Sequence, residues 1–483
     1  MLHINLLIGN QDLAASDARF FDRINPLSGE IATRAAAASL SDVDSAIASA
    51  WSAFPGWLST SPSERRMLLN KAADVLEGMQ DRFVHQMMKE IGTTKAWSIL
   101  NVNLAVCMLR EAASLSTQIG GEVIPSDVPG CLAMAVRQPA GVCLGIAPWN
   151  APIILGVRAV AAPVACGNTA ILKASELSPG THQLIGEVFR KAGFPPGVVN
   201  VITNAPADAA AVVERAIANP AVRRVNFTGS TRVGRIIGEL AGRHLKPALL
   251  ELGGKAAVIV LDDADLDAAV DAVAFGAFIN QGQVCMSTER VIVDDKIADH
   301  FTEKLGVKAA SLVAGDPRSG DVSIGSLIDE AAALRVDDLI NDALSKGAVR
   351  VAGGERVGSV VPATVLDWVA PEMQLYSEES FGPVVSLIRA QGTEDAIRLA
   401  NDTEYGLVCA VFGRDIGRVL SVSKRIQTGI CHINGPTVHD EARMPFGGVK
   451  ASGFGRFGGQ AGIAEFTDLR LTTIRTETPH YPF

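Results

Sequence analysis

Val222-Arg223-Arg224-Val225-Asn226-Phe227-Thr228-Gly229-Ser230-Thr231-Arg232-Val233-Gly234 changes its hydrophobic period partway along. As far as Phe227 it is a short, β-branched apolar run that reads as a buried strand. From Val233 to Leu240 apolar residues recur at helical spacing. Gly229 and Gly234 therefore flank a strand-to-helix turn. The same alternation extends outward in both directions. Between Gly141 and Leu252, the apolar runs Val142 to Ile146, Thr169 to Leu172, Val198 to Ile202 and Val222 to Phe227 are separated by helical stretches, as expected for a parallel sheet with crossover helices. A second alternation runs from Val258 to about Ile433. The fold class is α/β, with two parallel-sheet domains expected to face each other across a cleft.

The rest of the chain fits around this frame. Apolar spacing from Ser41 to Arg110 is helical, and Ser61-Pro62-Ser63-Glu64 is a helix start. Met1 to Asn10 is apolar but has no basic flank or cleavage site, so it is expected to be a first strand and not a leader. Gly121 to Pro139, with Pro125, Pro129 and Gly130 between extended runs, reads as a projecting hairpin. At 483 residues, 48% hydrophobic and 20% charged, the chain can bury more than one core. Its net charge of −9 argues against a nucleic-acid partner. No apolar run is long enough for a membrane span.

One cysteine stands apart. Asn280-Gln281-Gly282-Gln283-Val284-Cys285 is a small, polar, glycine-bent turn between the helical run Ala264 to Phe278 and the strand-like Arg290-Val291-Ile292-Val293. Cys285 is thus expected at an exposed junction. Glu251-Leu252-Gly253-Gly254-Lys255 places a carboxylate beside two glycines after the apolar run Ala248-Leu249-Leu250. A thiol and a carboxylate suggest covalent catalysis with a general base. The other six cysteines, Cys107, Cys131, Cys143, Cys166, Cys409 and Cys431, are read as packing residues. An odd total with no C-x-x-C pair indicates a reducing, cytoplasmic setting, and neither cysteines nor histidines have metal spacing.

These segments occur in a definite order along the chain: Pro148-Trp149-Asn150, Lys173-Ala174-Ser175-Glu176, Phe227 to Gly234, Glu251 to Lys255, Gly282 to Cys285, Glu379-Ser380-Phe381-Gly382-Pro383 and Pro445-Phe446-Gly447-Gly448-Val449-Lys450. The set resembles the NAD(P)-dependent aldehyde dehydrogenase superfamily over nearly the whole chain. The residues from Gln283 to Arg290 and from His432 to Gly459 look most like its salicylaldehyde, vanillin and benzaldehyde dehydrogenase branch.

The resemblance implies an NAD-binding domain over residues 1–120 and 141–252, a catalytic domain over 253–435, and a small β oligomerisation element from 121–140 and 464–483 that builds a homodimer or homotetramer. It makes Cys285 the nucleophile, Glu251 the base for thioester hydrolysis and Asn150 an oxyanion donor. NAD would be held by Trp149, Lys173, Glu176, Gly229, Ser230, Gly234, Glu379 and Phe381. A carboxylate at Glu176 suits a ribose 2′-hydroxyl and repels a 2′-phosphate, so NAD is expected over NADP. Retention of Glu251 favours a free acid as product over a coenzyme A ester.

The aldehyde would enter past Ala151, Leu155 and Arg158, which share a helical face, with Ile279, Met286 and Phe446 completing an apolar funnel. Small Ala151 leaves room for a ring, which points to aromatic aldehydes. Rival readings are an aliphatic or semialdehyde dehydrogenase of the same fold and a non-catalytic structural relative. Arg158 has two readings at this stage: a partner for a ring hydroxyl, or half of a structural ion pair.

Overall fold

A computed structural model describes residues 1–478 and 480–483. Its largest sheet has eight strands. Five run parallel and carry the nucleotide-domain pattern: Val142–Ile146, Thr169–Lys173, Val199–Ile202, Val222–Thr228 and Ala248–Glu251. Numbered by position in the chain, they lie side by side as fifth, fourth, first, second, third. The strand order reverses between the first and the fourth, and a crevice opens at such a reversal, beyond the carboxyl ends of the strands. Pro148-Trp149-Asn150 follow the first strand and Gly229-Ser230 follow the fourth, so both motifs border that crevice.

The second sheet has seven strands in the order Val349–Ala352, Thr364–Asp367, Val384–Ala390, Thr288–Asp294, Ala256–Val260, Val408–Phe412, Ile430–Ile433. Only the Val349–Ala352 edge is antiparallel to its neighbour. Its central strands are buried along their whole length, as both faces of a parallel sheet are when helices cover them. Glu251 ends a strand of the first sheet and Ala256 begins one of the second. The carboxyl ends of one sheet therefore meet the amino ends of the other through Leu252-Gly253-Gly254-Lys255.

Local sequence explains the helix boundaries. Ser61 accepts a hydrogen bond from Glu64 N–H and Pro62 opens the helix Pro62–Gly78, as its sequence predicts. Asp265 caps Leu266–Phe278. The N-terminus departs from expectation. Leu2–Ile4 pairs with Ile31–Ala36 in a small sheet, whereas Leu6–Ile8 joins the eight-stranded sheet antiparallel to Val199–Ile202. One apolar stretch thus serves two sheets, a division set by distant partners.

Gly121–Ile124 and Cys131–Pro139 form the expected hairpin, and Thr467–Arg475 pairs along the full length of the second strand. Among the described residues, this three-stranded sheet shares no strand pairing with the other three sheets. Val123, Leu469 and Leu471 are exposed on it. Residues beyond 435 also return to the main body: Gly453–Phe454 pairs antiparallel with Ala248–Glu251, opposite Leu250 and Glu251. No helix among the described residues is long and apolar enough to cross a membrane.

Candidate active site

The turn before Cys285 is built from backbone that most residues avoid. Asn280, Gln281 and Gly282 take left-handed φ values of 48°, 58° and 69° in succession. Two of these are not glycine, so the conformation needs outside support. Side-chain amides provide it. Asn280 donates to the Asn150 carbonyl at 3.0 Å and accepts from Thr93 at 2.7 Å. Gln281 donates to the Ser326 carbonyl and accepts from Gly325 N–H, both at 3.0 Å. Gln283 accepts from Ile328 N–H at 2.9 Å. The polar residues that marked this turn in the sequence are the struts that hold it.

Cys285 is half-buried and so not at an exposed junction; it lies at the meeting point of two cavities. One, of about 220 Å³, is lined by Trp149, Asn150, Gly229, Glu251, Glu379 and Phe381 besides Cys285. It continues past Trp149, Gly229 and Ser230 into a cleft of about 650 Å³ that contains Lys173 and Glu176. The other, of about 610 Å³, lies on the opposite side, and Asn150 and Cys285 line it as well. A path through the molecule therefore narrows to one thiol and one amide.

The backbone is tight around this point. A side chain at Gly254 would reach within 2.6 Å of the Cys285 carbonyl oxygen. Gly254 N–H donates to Glu379 at 2.9 Å, and Asn150 Nδ2 donates to the Gln283 carbonyl at 3.0 Å, which leaves its second N–H free of that bond. Trp149 and Phe381 meet edge to face, 5.7 Å between ring centroids. The Glu379–Phe381 loop is fixed from behind by Glu289, which pairs with buried Lys255 and accepts from Ser380 N–H at 2.8 Å.

Glu251 is 0% exposed by residue, and among the described residues neither of its carboxyl oxygens has a hydrogen-bond partner by geometry. Burial pushes its pKa up to about 8, opposed by the charge of Arg158 and then by the neighbouring Cys285 thiol. Burial likewise raises Glu379 to about 7. The Cys285 thiol is held well above its ordinary range, by burial first and then by the negative charge of Glu251 and Glu379. An acid, a thiol and an amide donor on one cavity wall can carry acyl chemistry, with the acid holding its proton near neutrality.

In the 650 Å³ cleft, Ser230 caps the helix Thr231–Arg243 and accepts from Val233 N–H, leaving that helix start directed at the strand-end crevice. Glu176 pairs with Lys173 and accepts from Asn204 at 2.8 Å; both bonds fall on Oε1, so Oε2 remains available. The cleft's size, its helix terminus and its free carboxylate oxygen fit a dinucleotide. Gly234 does not line it. A side chain there would run into Leu252, so this glycine serves the packing of helix on sheet, a correction to its expected place in the cofactor site.

Of the residues expected on the aldehyde side, Ala151, Leu155, Arg158, Met286 and Phe446 line the 610 Å³ cavity. Ile279 does not; it packs against the core at the end of its helix. Arg158 lines the cavity, and its guanidinium is paired with Asp440 while stacked 4.3 Å from the Phe446 ring centroid. Sequence reasoning missed much of the rest of the wall, including Trp97, Leu100, Leu104 and Cys107 on the helix Lys95–Leu115, and Pro436, Val438, His439 and Asp440. The four helical residues recur every three or four positions, but such a stripe reads equally as core. Cys107 and Cys431 are exposed and Cys131 is half-buried, so only Cys143, Cys166 and Cys409 are the buried packing residues expected.

A family model for the aldehyde dehydrogenase family matches residues 13–472. The chain belongs to the aldehyde dehydrogenase family. It is thus an enzyme, and members of this family use NAD or NADP. It is 60% identical over 482 residues to a vanillin dehydrogenase of Pseudomonas fluorescens, covering 100% of each chain. It is 48% identical over 479 residues to a salicylaldehyde dehydrogenase of Pseudomonas putida, covering 99% of each. The crystal structure of a salicylaldehyde dehydrogenase from Pseudomonas putida G7 complexed with salicylaldehyde superposes with a TM-score of 0.98 at 47% identity, covering 100% of each chain. The aldehyde dehydrogenase fold expected from the motifs is the fold observed.

Proposed function

We propose that this enzyme oxidises an aromatic aldehyde of the vanillin, salicylaldehyde or benzaldehyde type to its carboxylic acid, with NAD as the preferred cofactor. The observation that carries this reading is the placement of Cys285 and Asn150 on both cavities at once. An aldehyde arriving from one side and a dinucleotide from the other meet only there. The aldehyde cavity has aromatic and aliphatic walls (Trp97, Leu100, Leu104, Phe275 and Phe446) wide enough for a substituted ring. Resemblance to named vanillin and salicylaldehyde dehydrogenases over the full chain supports the same class.

In this mechanism the Cys285 sulfur adds to the aldehyde carbonyl, its proton passing to a base. The oxyanion that forms takes hydrogen bonds from the free Asn150 N–H and the backbone N–H of Cys285, and one such donor contributes about 10²–10³ in rate. Bound NAD supplies the hydride acceptor, held by Lys173, Glu176, Ser230 and Glu379 and bounded by Trp149 and Phe381. The resulting Cys285 thioester is attacked by a water whose proton goes to Glu251, releasing the acid and the thiol. Glu251 acts only when ionised, so hydrolysis accelerates as pH rises towards about 8. Glu176 Oε2 suits the ribose 2′-hydroxyl of NAD and repels the 2′-phosphate of NADP.

The three-stranded sheet with exposed Val123, Leu469 and Leu471 is the surface proposed for oligomerisation, as a homodimer or homotetramer, in the cytoplasm. The deciding experiment follows reduced-nicotinamide absorbance with NAD or NADP and a panel of vanillin, salicylaldehyde, benzaldehyde, hexanal and succinate semialdehyde. Aromatic substrates should lead by about tenfold or more in kcat/KM, which is about 1.4 kcal/mol of transition-state preference. A lead by hexanal or succinate semialdehyde overturns the substrate assignment, and an NADP preference overturns the cofactor assignment.

A further inference from the structure

We propose that Asp440 is a specificity residue: by matching the charge of Arg158 in the cavity wall, it turns away aldehydes that carry a carboxylate. The inference rests on the aldehyde-oxidising reading above and adds to it a class of substrate that is excluded. Among the described residues lining the 610 Å³ cavity, Arg158 is the one arginine or lysine and Asp440 the one carboxylate. They are paired with each other, 7% and 6% exposed by side chain. The pair therefore brings no net charge to the wall, and His439 is the wall's remaining ionisable side chain apart from the thiols of Cys107 and Cys285.

The guanidinium is packed against two aromatic rings. Arg158 comes from the helix Pro152–Ala165 and is stacked on Phe446, with Phe457 5.6 Å away on its centroid. Asp440 comes from the distant segment that supplies Pro436, Val438 and His439 to the same wall. A substrate carboxylate entering this cavity loses its water and finds a cation already matched, with Glu251 and Glu379 beyond the thiol. Burying an unpaired charge in such surroundings is costly. A neutral ring, or one with a hydroxyl group, escapes that cost. Specificity of this kind depends on denying a partner to the wrong ligand.

Behind the pair lies a small cavity of about 40 Å³ that Arg158 and Asp440 also line, together with Glu111 and Glu441. These two carboxylates are the competing partners for an Arg158 released from Asp440. With Phe446 and Phe457 keeping the guanidinium at the cavity wall, removal of the Asp440 charge presents a free cation to the substrate.

The test compares kcat/KM for 4-carboxybenzaldehyde with that for benzaldehyde in wild type, Asp440→Asn, Asp440→Glu and Arg158→Gln. The ratio within one preparation is unaffected by any inactive fraction. Asp440→Asn should raise it by about tenfold or more, the scale of one well-placed charge interaction. Asp440→Glu should stay near wild type, and Arg158→Gln, which leaves the carboxylate unmatched, should lower it. An unchanged ratio in Asp440→Asn overturns the proposal, and is the outcome if Arg158 turns to Glu111 or Glu441. Should Asp440→Asn fail to fold, Arg158→Gln decides, and a ratio at the wild-type value overturns it. Wild-type turnover of benzaldehyde separates the two levels: if it is absent, the aromatic reading fails first; if it is present and the ratios do not move, only the role of Asp440 fails.

Discussion

The two cavities that meet at Cys285 are built in different ways. The polar groups of the cofactor side stand at strand ends, in short turns such as Pro148-Trp149 and Thr228-Gly229-Ser230, whose positions follow from where strands of one parallel sheet stop, and faces of the helices Ala209–Ala218 and Thr231–Arg243 close the cleft around them. The aldehyde side is assembled from surfaces: one face of the helix Lys95–Leu115, one face of Pro152–Ala165, and the segment from Pro436 to Phe446. Turns at strand ends bring their own chemistry wherever the sheet forms. A wall made of helix faces has no local signature, because the same side chains would serve as core if another element covered them. The difference teaches that polar groups at strand ends are placed by the sheet itself, whereas a wall of apolar helix faces is placed by packing.

The largest expected effect comes from the residue common to both sides. Cys285→Ala should abolish turnover, a loss on the order of 10⁴-fold or more in kcat, while NAD binding by calorimetry and melting temperature stay near wild type. If NAD binding were lost as well, the two cavities would not be separable at this point.

Glu251→Gln comes next and carries a pH signature. The folded-state pKa of Glu251 is about 8 against an ordinary 4.5, so between those values the folded protein keeps a proton that the unfolded chain has released. Its contribution to stability is therefore undiminished below about 4.5 and declines as pH rises through the window to about 8. Glutamine has no proton to lose. The variant should melt higher than wild type at alkaline pH, with the gap closing towards pH 5, and should release one equivalent of reduced cofactor in a burst before stalling at the thioester. Steady turnover rising with pH towards about 8 in wild type, and absent in the variant, checks the same assignment.

Two smaller effects separate the sides. Trp97→Ala removes a wall of the aldehyde cavity and a donor to the Asn150 carbonyl at 3.1 Å, so KM for benzaldehyde should rise by about tenfold, worth ~1.4 kcal/mol. KM for NAD should not move; a matching rise would show that the cavities are coupled. Glu176→Gln is expected to narrow the preference for NAD over NADP several-fold, read as the ratio of kcat/KM values, with aldehyde KM unchanged.

Legibility followed this same division. Cys285, Glu251, Asn150, Glu176 and Glu379 stand in short motifs, and the structure brings them to one connected path. Gly234 stood in the same motif and was read with them, yet its neighbour is Leu252. A motif marks a required residue without saying whether ligand or packing requires it. Arg158 was visible as an unusual cation on a helix face; Asp440, 282 residues further along, was not visible as its partner. Nor did any local pattern show that Met1 to Asn10 would split between two sheets.

The sequence by itself determined the α/β class, the alternation that builds two parallel sheets, and the reactive groups at their strand ends, because hydrophobic period and turn chemistry act over a few neighbouring residues. Only the tertiary structure decided that Cys285 would lie between two cavities, that Glu251 would be buried and keep its proton to about 8, and that Arg158 would be matched by Asp440. Burial, desolvation and charge pairing depend on which distant elements close over a residue, and that is settled only when the whole chain packs.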